Sequence, residues 1–241
     1  MNLILDFGNT NKKIALTDSS GTIKKIENRK EITLQAIKTF VNENPGIEAC
    51  ILSSVIRHPS SINSFLKKHF RFLELSESTP LPVINRYRTP KELGKDRLAA
   101  VAGGASFFPC KDLLIIVAGT CITYNFITSG NEFLGGAISP GLNMRFQALH
   151  TFTGKLPLIT FKEFDNPVGT NTEQSILSGI INGIVSEMEG FTLLYKKKYP
   201  GLKVILSGGD LKYFDNRLKI NIFAIPNIVL LGLHQILTFN G

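Results

Sequence analysis

Short apolar runs bounded by glycine, amide and charged residues recur along the chain and predict a series of strands and helices. Residues 3–7, 13–17 and 22–27 predict a three-stranded meander, and the sequence Asp-Ser-Ser-Gly at 18–21 suits its hairpin turn. The rest of the first half predicts a helix at 32–41, a buried strand at 49–55, a helix at 59–69, an extended proline-rich loop at 79–90 and a helix at 91–106.

The second half repeats this order of elements. Its predicted elements are strands at 113–117, 122–128 and 133–138, a turn at 129–131, a loop at 151–157, a long helix at 172–198, a strand at 204–207 and a last helix at 228–239. Such a repeat predicts an α/β protein with two similar domains. We place the boundary at 109–112, which gives the domains 1-110 and 111-241.

Two turns carry the candidate chemistry. The sequence DFGNTNKK at 6–13 closes the first strand, and AGTCITYN at 118–125 closes the first strand of the second half. A strand that ends in glycine and in hydroxyl or amide residues exposes backbone N–H groups to an anion. Because the two turns lie half a chain apart, we expect two phosphate-binding loops that face each other across a cleft, and ATP fits such a cleft.

The composition restricts the class of protein. The chain has 241 residues, of which 43% are hydrophobic, enough for packed cores. Cys50, Cys110 and Cys121 lie in or beside apolar runs without metal-ligand spacing, so we expect reduced core or near-core thiols and a cytoplasmic location. The N-terminus lacks a signal-peptide pattern, and no run reaches the roughly 20 apolar residues of a membrane span, so we expect a soluble protein.

The formal net charge of +8 favours anionic partners. The densest cationic run, at 196–198, ends a predicted helix, where cations complement the helix dipole. Aromatic residues do not interleave with this run as they do in a nucleic-acid-binding stripe. The charge alone does not choose between a nucleotide and nucleic acid, but this run favours a solvated helix end over a nucleic-acid contact.

An ordered set of motifs in this chain resembles the type III pantothenate kinase family. The motifs are DxGNTxxK at 6–13, Tyr87 followed by GxDR at 94–97, GT at 119–120, GGxIxPG at 135–141, GxNT at 169–172 and SGGD at 207–210. Each motif is weak alone, but their order over most of the chain is specific. The resemblance implies two ribonuclease-H-like domains of the actin-like ATPase and sugar kinase fold, a homodimer built from the second domain, and ATP-dependent phosphorylation of pantothenate, the first step of coenzyme A biosynthesis.

The residues of the two turns suggest how ATP is bound. Asp6, at the end of a buried strand, is the candidate Mg²⁺ ligand, directly or through water, and Lys13 offers a positive charge to the phosphates. The alternative role for Asp6 is a carboxylate that caps the turn. The ATP-binding residues that the resemblance implies are Asp6, Phe7, Gly8, Asn9, Thr10, Asn11, Lys12, Lys13, Gly119 and Thr120. Gly208 and Gly209 suit either a close approach of adenosine or a plain strand-to-helix turn.

A second group of residues is the candidate site for pantothenate. Asp96 is the candidate general base for the primary hydroxyl, and Arg97 suits the substrate carboxylate because its guanidinium binds bidentately. The substrate-binding residues that the resemblance implies are Tyr87, Gly94, Lys95, Asp96, Arg97 and Thr172. Without the resemblance, Asp96 and Arg97 also read as a solvated charge pair on a helix, and Thr172 as a helix N-cap.

One position departs from the family pattern. Where that pattern has an aspartate that binds a monovalent cation, this chain has Val117, whose isopropyl group ligates neither K⁺ nor ammonium. Asn125 stands where an aspartate is also common. The hypothesis is that the enzyme works without the monovalent cation, or that another group such as Lys95 replaces its charge.

Two other functions stay open at the level of the sequence. A Bvg-accessory-factor-like regulator shares this scaffold, and the net charge and Val117 favour it. A carboxylate and an arginine aimed into a cleft, such as Asp96 and Arg97, favour an enzyme. A sugar-kinase or actin-like relative that acts on another small alcohol fits the fold, but Tyr87 and the GxDR spacing count against it.

Overall fold

The structure is a computed structural model that describes all 241 residues. The chain divides into a first unit, Met1–Pro109 with Asn131–Phe133 and Ile228–Gly241, and a second unit, Cys110–Gly130 with Leu134–Asn227. The division after Pro109 lies one residue from the predicted boundary. The prediction that residues 111-241 form one domain is wrong for the last helix, because its apolar side chains pack in the core of the first unit.

Strands and helices alternate along most of the chain. The strands are β1 (Asn2–Phe7), β2 (Lys12–Thr17), β3 (Ile23–Arg29), β4 (Ala49–Ser54), β5 (Arg71–Glu74), β6 (Ile84–Asn85), β7 (Leu113–Ala118), β8 (Cys121–Ile127), β9 (Glu132–Pro140), β10 (Lys203–Ser207) and β11 (Phe223–Ala224). The α-helices are α1 (Leu34–Glu43), α2 (Ser60–His69), α3 (Lys95–Phe107), α4 (Leu142–Thr151), α5 (Thr172–Lys198), α6 (Leu211–Phe214) and α7 (Ile228–Phe239).

The two units repeat one sheet topology. The first sheet has the order β3-β2-β1-β4-β5, and β1 pairs antiparallel with β2 and parallel with β4. The second unit has the order β9-β8-β7-β10-β11, in which β7 pairs antiparallel with β8 and parallel with β10. The strands therefore correspond one to one, and the predicted duplication of an α/β fold is confirmed.

The first sheet has a core on each face, and these cores decide where its polar side chains point. Leu3, Leu5 and Phe7 of β1 pack in a cluster with α1 and α2, whereas Ile4 packs in a cluster with α3 and α7. Because side chains alternate along a strand, Asp6 shares the face of Ile4. Asp6 therefore lies on the side of the sheet that α3 covers.

Helices α3 and α7 cross at two glycines. A Cβ on Gly232 would lie 1.7 Å from the carbonyl oxygen of Ala99, and a Cβ on Gly103 would lie 2.6 Å from the carbonyl oxygen of Ile228. These distances leave no room for a side chain at either position. The chain's last helix therefore fixes the helix that carries Asp96.

The structure corrects several predicted elements. The proline-rich stretch at 79–90 contains the short strand β6, which pairs parallel with Glu132 and Phe133 at the start of β9. The helix predicted at 91–106 begins only at Lys95, after a 3₁₀ turn at Pro90–Glu92. Strands β5 and β11 and helices α4 and α6 were not predicted. The helices at 172–198 and 228–239 are confirmed.

Candidate functional site

Three polar side chains lie side by side on the first sheet. Asp6 pairs with Lys13 across the antiparallel β1–β2 ladder and with Ser53 across the parallel β1–β4 ladder. Residues in register on neighbouring strands project to the same face. Asp6, Lys13 and Ser53 therefore form a polar group under α3, at the end of β1 where the first turn begins.

Burial and charge set the protonation of this group. Burial raises the pKa of Asp6 to about 6, and the nearby Asp96 carboxylate adds to the rise, while Lys13 and the Ser53 hydroxyl oppose it. Burial also lowers the pKa of Lys13, against the attraction of Asp6. Asp6 and Asp96 are thus close enough for their charges to interact. An added cation beside Asp6 would relieve both the desolvation and this repulsion.

The first loop, Gly8 to Asn11, forms a tight turn between β1 and β2. The backbone N–H of Gly8 donates to the carbonyl oxygen of Asn11 at 3.1 Å, and a Cβ on Gly8 would lie 2.9 Å from that oxygen. Asn9, Thr10 and Asn11 are exposed, so a ligand can approach this turn from solvent. Lys12 is half-buried.

Phe7 has a different position from the other predicted ATP-binding residues. Its side chain is wholly buried, and its ring meets that of His58 edge to face, with the centroids 5.6 Å apart. Its carbonyl oxygen accepts from the backbone N–H of Val55 at 3.1 Å. The Phe7 side chain therefore anchors the first loop to the core.

The GxDR motif forms the start of α3. Gly94 is the N-cap residue, Lys95 is the first helical residue, and Asp96 lies in the first turn with an exposed side chain. A Cβ on Gly94 would lie 2.5 Å from Oδ1 of Asp96. The absent side chain at position 94 therefore leaves the Asp96 carboxylate room to fold back over the helix N-terminus.

Arg97 is buried against two aromatic rings. Only 4% of the residue is exposed, and its Cζ lies 5.5 Å from the ring centroid of Tyr87 and 5.7 Å from that of Phe133. The two rings are nearly parallel, with their centroids 6.2 Å apart. Cation–π attraction of this kind stabilises a guanidinium away from water. Tyr87 and Phe133 therefore restrict the position of the Arg97 head group.

Phe133 reaches this position through a strand pairing that the sequence did not reveal. The N–H of Arg86 donates to the Phe133 carbonyl oxygen at 2.9 Å, and the Arg86 side chain forms an ion pair with Glu132 at 2.7 Å. Phe133 was not among the predicted site residues. An apolar residue that begins a strand gives no such signal, because only the pairing of β6 with β9 brings it to Arg97.

The second loop, Gly119 and Thr120, lies between β7 and β8 of the second unit. The Gly119 N–H donates to the Cys121 carbonyl oxygen at 3.0 Å. Two motif glycines pack against this loop: a Cβ on Gly141 would lie 1.9 Å from the Gly119 oxygen, and one on Gly208 would lie 2.0 Å from the Ala118 oxygen. Gly119 itself has no atom within 4 Å of its would-be Cβ. The space beside Gly119 is open, so a ligand can approach its backbone there.

The registers of the two sheets show which residue of the second unit corresponds to Asp6. Asp6 pairs with Lys13 and Ser53, and Val117 pairs in the same way with Thr123 and Ser207. The second unit therefore has uncharged residues at all three positions. Nearby Asn125 is buried and donates from Nδ2 to the Ile115 carbonyl oxygen at 3.2 Å and to Thr123 Oγ1 at 3.0 Å.

Two further predicted positions lie on the second unit. Thr172 is the first residue of α5 and is exposed, but the N-cap is Asn171, whose side chain accepts from the Gln174 N–H. The alternative reading of Thr172 as the N-cap is therefore wrong. Asp210 follows the glycines of the SGGD motif, and burial raises its pKa to about 6, against the attraction of Lys212.

The cysteines and the acidic residues bear on metal binding. Cys50 is buried and Cys121 is half-buried, but Cys110 is exposed, so the prediction of a core or near-core position is wrong for Cys110. The chain has no group of three or more histidine, cysteine, aspartate or glutamate side chains suited to hold a metal ion. Asp6 nevertheless fits Mg²⁺, which binds through one or two carboxylates with waters and phosphate oxygens as its other ligands.

None of the helices is long and apolar enough to cross a membrane.

Comparisons with known proteins agree with the motif resemblance. The model of the type III pantothenate kinase family matches residues 2–193. A type III pantothenate kinase from Christiangramia forsetii is 45% identical over 100% of this chain and 99% of its own length. One from Bacteroides fragilis is 42% identical, again over 100% of this chain and 99% of its own length.

Solved structures show the fold. A protein from Campylobacter jejuni described as a Baf family transcriptional activator superposes with a TM-score of 0.60 at 20% identity and covers 99% of this chain and 98% of its own. A ROK family glucokinase from Streptomyces griseus superposes with a TM-score of 0.50 at 12% identity, and 99% of each chain is covered. These likenesses confirm the predicted sugar kinase and actin-like ATPase fold, and at these identities they carry no argument about activity.

Proposed function

The chain belongs to the type III pantothenate kinase family, and on this premise we propose that it transfers the γ-phosphoryl group of ATP to the primary hydroxyl of pantothenate. The observation that carries the proposal is that Asp6 lies in register with Lys13 on the face of the first sheet covered by α3, the helix whose first turn holds Asp96. This arrangement places a candidate metal ligand, a cation and a candidate base together. Phosphoryl transfer needs these groups because it depends mainly on alignment and charge neutralisation.

The first loop and the polar group beside it are proposed to bind the phosphates. The exposed turn at Asn9, Thr10 and Asn11 would contact the phosphate oxygens, and Lys13 would add a positive charge. Asp6 would hold Mg²⁺, directly or through water, and the bound ion would neutralise charge on the β- and γ-phosphates. Because burial raises the pKa of Asp6, cation binding would favour its ionised form.

The start of α3 is proposed to bind and activate pantothenate. Asp96 is exposed, so its carboxylate is accessible to accept the proton of the primary hydroxyl as oxygen attacks phosphorus. Arg97 is proposed to bind the substrate carboxylate, with Tyr87 and Phe133 fixing the direction of its guanidinium. Lys95 and Gly94 lie in the same turn, and Thr172 remains a proposed substrate contact on the second unit.

The second loop is proposed as a further phosphate contact. Gly119 leaves open space above its backbone, and the exposed Thr120 adds a hydroxyl donor. Val117, Thr123 and Ser207 carry no charge beneath this loop, which supports the proposal that the reaction proceeds without a monovalent cation. A homodimer and a cytoplasmic location belong to the same proposal, and the three free cysteines suit a reducing compartment.

The regulatory alternative is not favoured. The relatives that match this chain over its full length are named as pantothenate kinases. The Baf family protein shares the fold at 20% identity, and a shared fold does not transfer a regulatory role.

A coupled ADP-release assay with pantothenate tests the proposal. The wild type should release ADP only when pantothenate is present. Asp96→Asn should lower turnover by at least about 10²-fold with the fold intact, because the amide cannot accept the proton. Glu92→Gln is the matched control, since it removes an exposed carboxylate from the preceding turn. Pantothenate-independent ADP release, or near wild-type turnover of Asp96→Asn, would refute the assignment.

A further inference from the structure

A carboxylate that the motifs do not include, Glu187, lies at the centre of a hydrogen-bond network in the second unit. It projects from the middle of α5 and is half-buried. Its Oε1 accepts from the Tyr124 hydroxyl at 2.8 Å and from the Ser139 hydroxyl at 2.5 Å. Its Oε2 accepts from the Arg145 guanidinium at 2.5 Å. Helix α5, strands β8 and β9 and helix α4 thus meet at a single carboxylate.

The network keeps Glu187 ionised. Burial alone would raise the pKa of this carboxyl, but hydrogen bonds from Ser139, Arg145 and Tyr124 outweigh burial and lower it. The Tyr124 hydroxyl has a raised pKa, because of burial first and of Glu187 second, and therefore remains a donor. A charge-assisted pair such as Arg145 with Glu187 is directional and holds both side chains in one geometry.

From Arg145 the contacts continue to the backbone that holds the second loop. Arg145 Nε donates to the carbonyl oxygen of Pro140 at 2.9 Å. The next residue, Gly141, donates from its N–H to the Thr120 carbonyl oxygen at 3.1 Å. Gly141 also packs so closely on Gly119 that a Cβ would lie 1.9 Å from the Gly119 oxygen. A displacement of Pro140 and Gly141 would therefore displace Gly119 and Thr120.

We propose that Glu187 is a positioning residue for nucleotide binding: through Arg145 it fixes the backbone of Pro140 and Gly141, which in turn sets the position of the Gly119 and Thr120 backbone beside the open space at Gly119. The proposal rests on the proposed function, because it assumes that the second loop binds phosphate. A loop that is held in place before binding needs little rearrangement when the anion arrives. Loss of the network would therefore weaken nucleotide binding more than it destabilises the fold.

The variant Glu187→Gln separates the two halves of the network. Its amide oxygen still accepts from Tyr124 and Ser139. Its NH₂ group faces the NH₂ group of Arg145, and because both are donors the hydrogen bond between positions 187 and 145 is lost. We expect the Kd for Mg-ATP to rise by about tenfold or more and the KM for ATP to rise with it. The KM for pantothenate and kcat at saturating ATP should stay within about threefold of the wild type.

Tyr124→Phe is the matched control, because it removes a hydrogen bond from the same carboxylate but leaves the link to Arg145. Its Kd for Mg-ATP should stay within about twofold of the wild type, even where its melting temperature falls. Arg145→Lys breaks the network from the other side and should reproduce the loss of nucleotide affinity, which keeps the test available if Glu187→Gln does not fold.

Direct titration with Mg-ATP distinguishes the failure of this inference from that of the proposed function. A wild type that binds Mg-ATP but releases no ADP with pantothenate would refute the kinase assignment, and the variants would still report on the second loop. Wild-type nucleotide affinity in the folded Glu187→Gln and Arg145→Lys variants would overturn the inference. So would a wild type that binds no nucleotide.

Discussion

Gly94 and Asp96 are in such close contact that any side chain at position 94 would touch the Asp96 carboxylate, since a Cβ there would lie 2.5 Å from Oδ1. Gly94 has φ −58° and ψ 131°, a conformation open to alanine. The absence of a side chain at this position therefore matters for the placement of the Asp96 carboxylate and not for backbone freedom. A substitution at position 94 therefore tests the placement of the Asp96 carboxylate without straining the backbone.

Gly94→Ala should lower turnover while the protein stays folded. The methyl group would rotate the Asp96 carboxylate away from its position, and alanine at an N-cap should cost about 1 kcal/mol or less of stability. We expect kcat to fall by about 10- to 100-fold, because general base catalysis depends on placement. Steady-state kinetics and thermal melting measure the two effects. Unchanged kcat in the folded variant would show that the Asp96 carboxylate reaches its working position without glycine at position 94.

Gly119→Ala should weaken ATP binding with little change in stability. No protein atom lies within 4 Å of the added methyl group, so any loss of affinity must come from contact with the ligand. We expect the Kd for Mg-ATP to rise by about tenfold or more. Gly154→Ala is the matched control, because it also has open space in an exposed segment and should bind as the wild type does. Equal affinity in both variants would exclude close approach of a phosphate to Gly119.

Gly232→Ala should destabilise the protein by about 3 kcal/mol, because its Cβ would lie 1.7 Å from the Ala99 oxygen and would push α7 away from α3. Gly179→Ala, on an exposed position of α5 with no atom within 4 Å, should instead stabilise by about 0.5 to 1 kcal/mol through helix propensity. Urea unfolding compares the two variants. A stable Gly232→Ala protein would show that the helices separate at little cost.

The sequence predicted the repeated sheet and the residues at its strand ends, because both depend on local signals. Apolar runs and turn glycines mark β1 and β7, and the motif from Asp6 to Lys13 marks the end of β1 and the start of β2. Helix α5 was equally clear, since it has an acidic residue in its first turn and lysines in its last turn.

The missing parts of the prediction depend on contacts between distant segments. Helix α7 joins the first core through its pairing with α3, and nothing within residues 228–239 indicates which sheet it covers. Phe133 reaches Arg97 only because β6 pairs with β9, and a two-residue strand leaves no periodic pattern. Glu187 lies among ordinary helical residues. Its partners Tyr124 and Arg145 are tens of residues away in sequence.

The raised pKa of Asp6 predicts a pH-dependent cost of folding for the protein without nucleotide. A carboxyl with a pKa of about 6 in the folded state, against an ordinary value of 3.8, binds its proton more tightly when folded. The free energy of unfolding should therefore fall as the pH rises through this interval, and the loss is complete above about pH 6. Asp6→Asn lacks this loss. The free energy of unfolding of Asp6→Asn minus that of the wild type should therefore be larger at about pH 7.5 than at about pH 4, by on the order of 2 kcal/mol.

Urea unfolding of wild type and Asp6→Asn at both pH values checks this prediction, since most other titrating groups cancel in the difference. Asp18→Asn serves as the opposite control, because hydrogen bonds from Ser20 and Lys24 lower the pKa of that half-buried carboxyl. Its wild-type advantage should therefore be nearly the same at both pH values, because it is lost only below about pH 4. A difference between wild type and Asp6→Asn that does not change with pH would contradict the role of burial at Asp6.

Val117 is the counterpart of Asp6 in the second unit, and it predicts indifference to monovalent cations. Its partners in register are Thr123 and Ser207, and Asn125 donates its amide hydrogens to neighbouring oxygens. None of these four side chains offers a carboxylate to hold K⁺ or ammonium. At constant ionic strength, replacing tetramethylammonium with either ion should change the initial rate by less than about twofold. Val117→Asp would place a carboxylate among hydroxyl groups, so its melting temperature should rise with K⁺ where that of the wild type does not. Activation of the wild type by about tenfold or more would show that another group of this chain binds the cation.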